Sequence, residues 1–389
     1  MEENIDPKLI NLLNNSDMSS EEQEPVEEEI IDDTILLMEK PFDPTKINIE
    51  TKTPSLDTLI KRIQYKSIQM NTESYFQRQD DLWDNVKQSR LIESILIRFP
   101  LPAFFFDSTD DNEWLVVDGL QRLSSIRNFC VEKKLKLTNL EFLSHLNGKT
   151  FDELSGDLQR IIEESQVVIY KIMPGTPTDV KFNIFKRINT GGLVLESQEI
   201  RHALFQGKPA VFIAELGKNT DFLKATYGKI KTNRMLDRDF ANRFLCFYLF
   251  GYENYSSDLD TFMSKAMAGI YDKSDDELNK IKYDFSEAMK LAHNIFEIGA
   301  FRKNIGNNNR LPPINKALFD AISTQFAVLN DEQRDKLNLK KEDFKNELKN
   351  ILASDSLFFT SISSSTGDKN RVYKRHHTIE KLIQKIISA

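Results

Sequence analysis

The sequence predicts an α+β protein whose N-terminal part mixes strands and helices and whose C-terminal part is entirely helical. Three observations carry this expectation. The apolar runs LPAFFFD and EWLVVD flank the turn cluster STDDN and read as a β-hairpin, and VVIYKIM (167–173) is a strand by its β-branched content. Helical spacing of apolar residues frames those strands on both sides. From residue 209 to the end the helical period continues almost without a break. With 389 residues, 40% of them hydrophobic, and 27 phenylalanines, the chain can fill two ordinary cores.

The elements follow in order. Leu56, Leu59, Ile60 and Ile63 recur at helical spacing after Pro54 and Ser55, a capped start. An irregular segment, MNTESYFQRQDDLW, leads to a second helix from about Asp81 to Phe99, then to the hairpin. Another helix opens after Asp118. Residues 135–165 read as short helices around loops. PGTPTD ends the strand at 167–173, and Thr178 or Asp179 caps VKFNIFKRI. After the loop NTGG a helix starts near Ser197, and helices fill the remainder. The expected organisation is an acidic disordered arm (1–45), a mixed domain (46–205) and a helical domain (206–389).

The net charge of −8 is unevenly divided. Residues 1–50 hold 15 acidic against 3 basic residues, and the rest holds 45 against 49, so the acidity lies in the arm. SSEEQEPVEEEIIDD reads as a solvated charge run, or more sharply as an internal polyanion mimic over a basic surface. No run approaches a membrane span, and the acidic start lacks a signal-peptide core, so a soluble cytoplasmic protein without membrane contact is expected. Cys130 and Cys246 sit among apolar neighbours and read as small core residues.

The candidate site is the corner VVDGLQRLSSI (116–126). A helix N-terminus leaves N–H groups unpaired and attracts anions. Gly119 permits close approach and unusual backbone angles. Arg122 offers a fork for phosphate oxygens, Gln121 can position water, and Asp118 can cap the helix, orient Arg122 or hold magnesium. An Asp cap with an ordinary exposed Arg would give the same letters. Two further stretches point the same way: Gln77 and Arg78 in FQR, and Arg187, Asn189, Gly191 and Gly192 in FKRINTGG. Convergence of the three on a polyphosphate is the expectation, with Asp118, Gln121 and Arg122 as the reacting centre and Arg122 at the corner's surface.

FQR, SRLIESILIRFPLPAFFFD, VVDGLQRLSSI and FNIFKRINTGGLVLESQEIRHAL, in that order over roughly residues 45–250, resemble a family of unknown-function domains. That family also supplies the N-terminal domain of GmrSD-type modification-dependent restriction endonucleases. The resemblance implies a ParB/sulfiredoxin-like fold that handles nucleotides. The family's signature is D-G-Q-Q-R; Leu120 replaces its first amide, while Asp118, Gly119, Gln121 and Arg122 carry over.

The resemblance implies a nucleotide-binding, nucleoside-triphosphate-hydrolysing module of a prokaryotic anti-phage system, using magnesium and working on or sensing DNA with a nuclease or other defence subunit. The competing readings are a non-catalytic, nucleotide-gated module that binds DNA or protein, and direct chemistry on the DNA backbone. An H-N-H nuclease is not expected, because only His145, His202, His293, His376 and His377 are present and they show no metal-ligand pattern. His202 and His293 read as packing residues, with His202 also a candidate to face the site. RVYKRHH (371–377) reads as a basic helix opening that could touch nucleic-acid phosphates.

Overall fold

The computed structural model describes residues 26–27, 44–70, 83–110, 112–188, 196–256, 258–304 and 312–389. Chain contacts divide it into two compact units, residues 42–195 and residues 196–389, the latter joined by the arm residues Val26 and Glu27. The architecture is α+β, with strands in the first unit and helices throughout the second.

The first unit contains β1 (Ile49–Lys52), α1 (Leu56–Gln64), β2 (Ile68–Gln69), α2 (Asn85–Leu96), β3 (Phe104–Asp107), β4 (Trp114–Asp118), α3 (Leu120–Ile126), α4 (Gly156–Glu164), β5 (Ile169–Ile172) and α5 (Thr178–Ile188). The strands form one sheet in the order β1-β5-β3-β4-β2. As the turn cluster predicts, β3 and β4 are antiparallel, with a register shift between Phe105 and Phe106. β3 and β5 are parallel, pairing Phe104 with Ile169 and Asp107 with Ile172. The edge strands β1 and β2 are absent from the sequence reading. One is four mostly exposed residues and the other only two, too short to display a two-residue period.

Apolar faces of α1, α2, α3 and α4 close over the sheet, burying Leu56, Ile92, Phe104, Phe106, Leu123, Phe129 and Ile162. Asp84 caps α2 by accepting the Lys87 N–H at 2.7 Å. Beyond α3 the chain makes one wide turn, Arg127–Val131, that buries Cys130. The long connection to α4 is held from within. Glu93, on α2, accepts backbone N–H groups from Glu141 (3.0 Å), Phe142 (2.7 Å) and Leu143 (2.8 Å). Burial pushes its carboxyl upward, but those N–H groups and Arg90 outweigh it and hold the group below the usual glutamate value.

The second unit runs through α6 (Ser197–Leu204), α7 (Lys208–Gly217), α8 (Thr220–Thr226), α9 (Leu236–Phe250), α10 (Leu259–Gly269), α11 (Asp275–Phe296), α12 (Lys316–Ala327), α13 (Asp331–Leu339), α14 (Lys341–Ser354), α15 (Ser356–Ser361) and α16 (Lys369–Ser388). Its core is aromatic: Phe222, Phe240, Phe285 and Phe319 pack with ring centroids 4.9–6.4 Å apart. Ser274 and Glu277 form a reciprocal cap that starts α11.

A charge cluster lies inside this core. Arg243 holds Asp320 with two bonds of 2.8 Å, and Arg375 reaches the same carboxylate at 3.0 Å. Arg375 also donates to the Thr366 carbonyl at 2.6 Å. RVYKRHH is only in part a surface segment: Arg375 and His376 are fully buried, Lys374 pairs with Asp355, Arg371 donates to Ser364, and Tyr373 remains exposed. The helical period turns Arg375 and His376 inward, which composition alone could not reveal. Cys246 is buried in the same region, and both cysteines are free thiols. Among the described residues no helix is long and apolar enough to cross a membrane.

Candidate functional site

β4 delivers Asp118 to the corner, and its β-branched residues set the direction of approach. The chain then reverses at Gly119, whose φ of +99° lies in the left-handed region. A side chain here would meet Phe104 Cδ1 at 2.5 Å and Arg122 Nη2 at 3.3 Å. The glycine thus makes room for a phenyl ring of the protein's own core.

Arg122 enters from the first turn of α3. Its guanidinium lies over the Phe104 ring, 4.5 Å from the centroid. It donates to the Pro102 carbonyl, to the Ala103 carbonyl at 3.2 Å and to Asp118 Oδ2 at 3.0 Å. Only 9% of the residue is exposed. Burial lowers its proton affinity below the ordinary guanidinium value, against the opposing charge of Asp118. The expectation that Arg122 stands at the surface is therefore corrected. Pro102 and Ala103 precede β3, and the arginine supplies hydrogen bonds to both of their carbonyls.

Asp118 is different. Its side chain keeps 37% exposure while one oxygen is fixed by Arg122. The corner therefore presents a carboxylate whose position is set by a buried cation and whose surface is open. Gln121 is half-buried, and its Oε1 accepts the Trp83 N–H at 3.2 Å. The Trp83 carbonyl accepts from Gln88 at 2.6 Å, and Gln88 accepts from Asn128 at 2.9 Å. This line of amides fastens the start of α2 to α3. Leu120 packs partly buried against the core.

The other predicted residues are placed as follows. Arg187 lies exposed in the last turn of α5. Gln77, Arg78, Asn189, Gly191 and Gly192 lie outside the described residues, as do residues 1–25 and 28–43 of the arm. No group of three or more His, Cys, Asp or Glu side chains suited to a metal occurs among the described residues.

Sequence reasoning missed a second charged centre at the opposite end of β3. Lys181 of α5 reaches Asp107 Oδ2 at 2.8 Å and also contacts the Thr109 hydroxyl, with Asp107 and Lys181 each 8% exposed. The pair anchors α5 to the sheet. Its signal was faint, since Asp107 ends FFFD like an ordinary turn residue and Lys181 lies in the helix VKFNIFKRI.

It also missed the inward polar face of α6. Arg201 is 1% exposed and binds Gln198 (2.9 Å) and Asp260 (2.8 Å), while Gln198 accepts from Asn242 at 3.1 Å. Arg234 reaches Glu196 at 3.1 Å and Glu199 at 3.0 Å. His202, buried beside Arg238 at 3.1 Å, is pushed down to about 4 by burial and by that charge. It is a neutral packing residue at physiological pH, in keeping with the structural reading of a lone helical histidine.

No curated protein and no solved structure matches the chain. Residues 56–206 match the family model described as GmrSD restriction endonuclease, N-terminal domain. The match begins at α1, spans the corner and ends just after α6, so the buried polar face of α6 belongs to the family segment while its partners on α9 and α10 lie beyond it. Over residues 56–206 this chain is therefore similar to the N-terminal domain of GmrSD restriction endonucleases.

Proposed function

We propose that the corner around Asp118 binds a nucleoside triphosphate with magnesium, and that the chain is the nucleotide-responsive, hydrolytic component of a restriction-type defence system. The observation that carries this reading is a half-exposed carboxylate held in place by a buried arginine. Such an arrangement suits a metal-facing acid, because its orientation is fixed before the ligand arrives. Arg122 acts as the positioning residue. Contacts to phosphate fall to Arg78 and Arg187, with Asn189, Gly191 and Gly192 shaping the approach and Gln77 and Gln121 orienting water or a base edge. Magnesium would supply charge neutralisation between Asp118 and the phosphates. DNA and a nuclease partner would receive the outcome of binding or turnover.

The replacement at Leu120 favours a second reading, binding without hydrolysis. An apolar side chain packed on the core stands where the resembling family carries an amide, so one polar contact to water or ligand is missing.

The test is a thermal-shift series with each triphosphate and magnesium, run beside phosphate release. A ligand at a hundred times its Kd should stabilise the protein by about 2.7 kcal/mol. Stabilisation with release supports the hydrolytic reading, and stabilisation without release supports the second. No stabilisation by any triphosphate overturns both.

A further inference from the structure

The acidic arm touches the helical unit at a built site. Val26 forms a parallel bridge with Ile314, which on its other side forms an antiparallel bridge with Arg302. The Glu27 N–H donates to the Ile314 carbonyl at 2.9 Å. Val26 is 8% exposed and belongs to the core cluster that includes Ile314. The Glu27 carboxylate is gripped on both oxygens: Lys303 holds Oε1, and the Asn315 side-chain amide donates to Oε2 at 2.9 Å.

Asn315 is itself 4% exposed and otherwise committed. Its amide also donates to the Ile362 carbonyl at 2.7 Å, and its oxygen caps α12 by accepting the Leu318 N–H at 2.8 Å. Lys303 additionally lies 5.4 Å from the Phe359 ring centroid. The site thus reads three features of one peptide: an extended backbone, an apolar side chain in a slot, and a glutamate directly after it. This is strand addition with side-chain selection, a common mode of peptide recognition.

Charge reinforces the fit. Residues 21–33 carry eight acidic side chains and no basic ones, and Lys303 turns its ammonium to Glu27 at the centre of that run. We propose that the edge formed by Lys303, Ile314 and Asn315 is a docking site for an extended acidic peptide of a partner protein, occupied in this chain by its own Val26–Glu27. A tethered segment acts at an effective concentration on the order of millimolar, so the arm excludes weak competitors and admits a partner that binds more tightly or releases the arm.

The experiment uses the full chain and a fluorescent peptide, SEEQEPVEEEIIDD, corresponding to residues 20–33. Wild type should bind it weakly. Glu27→Lys, and independently Val26→Asp, should release the arm and bind the peptide at least tenfold more tightly. Adding Lys303→Glu to either variant should abolish that gain, and a scrambled peptide of the same charge should not bind. Cooperative unfolding of the arm variants, lowered by no more than the lost arm contacts, keeps the comparison clean. The proposal is overturned if neither arm variant binds better than wild type, if Lys303→Glu leaves binding intact, or if the scrambled peptide binds equally well.

Discussion

The two units bury charge in different ways. In the sheet unit two of the buried charges serve backbone: Arg122 satisfies the carbonyls of Pro102 and Ala103, and Glu93 collects three consecutive N–H groups of a connecting loop, while Lys181 and Asp107 pair with each other. In the helical unit they serve one another, as Arg243 and Arg375 do with Asp320. The difference follows from secondary structure. A helix consumes its own interior N–H and C=O groups, so a charge buried between helices must find side chains. Loops and strand ends leave backbone groups open, so a charge there can act as a bracket. Arg122 and Glu93 therefore shape connections near the sheet, whereas Arg243, Arg375 and Asp320 fix which helices meet.

The contrast predicts unequal costs for the two simplest charge removals. Asp320→Asn leaves two arginines sharing a site with no anion, and should cost about 3–5 kcal/mol in chemical denaturation. Glu93→Gln should cost less, about 2 kcal/mol, because its loop includes the exposed Phe142 and water can replace part of the lost bonding. Equal costs would break the distinction.

A gentler probe is pH. His202 is held neutral, with its proton affinity lowered to about 4 by burial and then by Arg238. The unfolded chain takes up that proton near 6.5, the folded chain only near 4, so stability should fall as pH drops through this window. Burial lowers His376 in the same direction, while burial raises the Asp237 carboxyl and opposes the loss at the acid end. Replacing His202 with Gln should flatten the slope between pH 6.5 and 4 in denaturation curves. An unchanged slope would mean that its environment does not hold the proton off.

Much of this fold was legible in sequence because its signals are local. The hairpin showed itself through two apolar runs around STDDN, and α1, α2 and α5 through apolar spacing, although the Ser55 side chain makes no capping bond at the start of α1. β1 and β2 were not legible, since strand pairing at a sheet edge is decided by partners distant in sequence. The corner was located correctly as a strand-to-helix turn, but the part played by each residue was not. Gly119 and Arg122 answer to Phe104, 15 and 18 residues earlier, and Arg122 to two carbonyls 19 and 20 residues earlier, and no local pattern discloses such contacts. The same applies to Arg375 and His376, whose basic letters suggested a surface and whose helical phase buried them.

The account turns on a division of labour between Asp118 and Arg122, and one paired measurement tests it. Denaturation and the magnesium–triphosphate thermal shift should be recorded on Asp118→Asn and Arg122→Ala side by side. Asp118→Asn should alter stability by less than about 1 kcal/mol, as expected for a half-exposed ion pair, yet lose the ligand shift. Arg122→Ala should cost about 2–3 kcal/mol because two carbonyls lose their donor. A full ligand shift in Asp118→Asn would contradict the account.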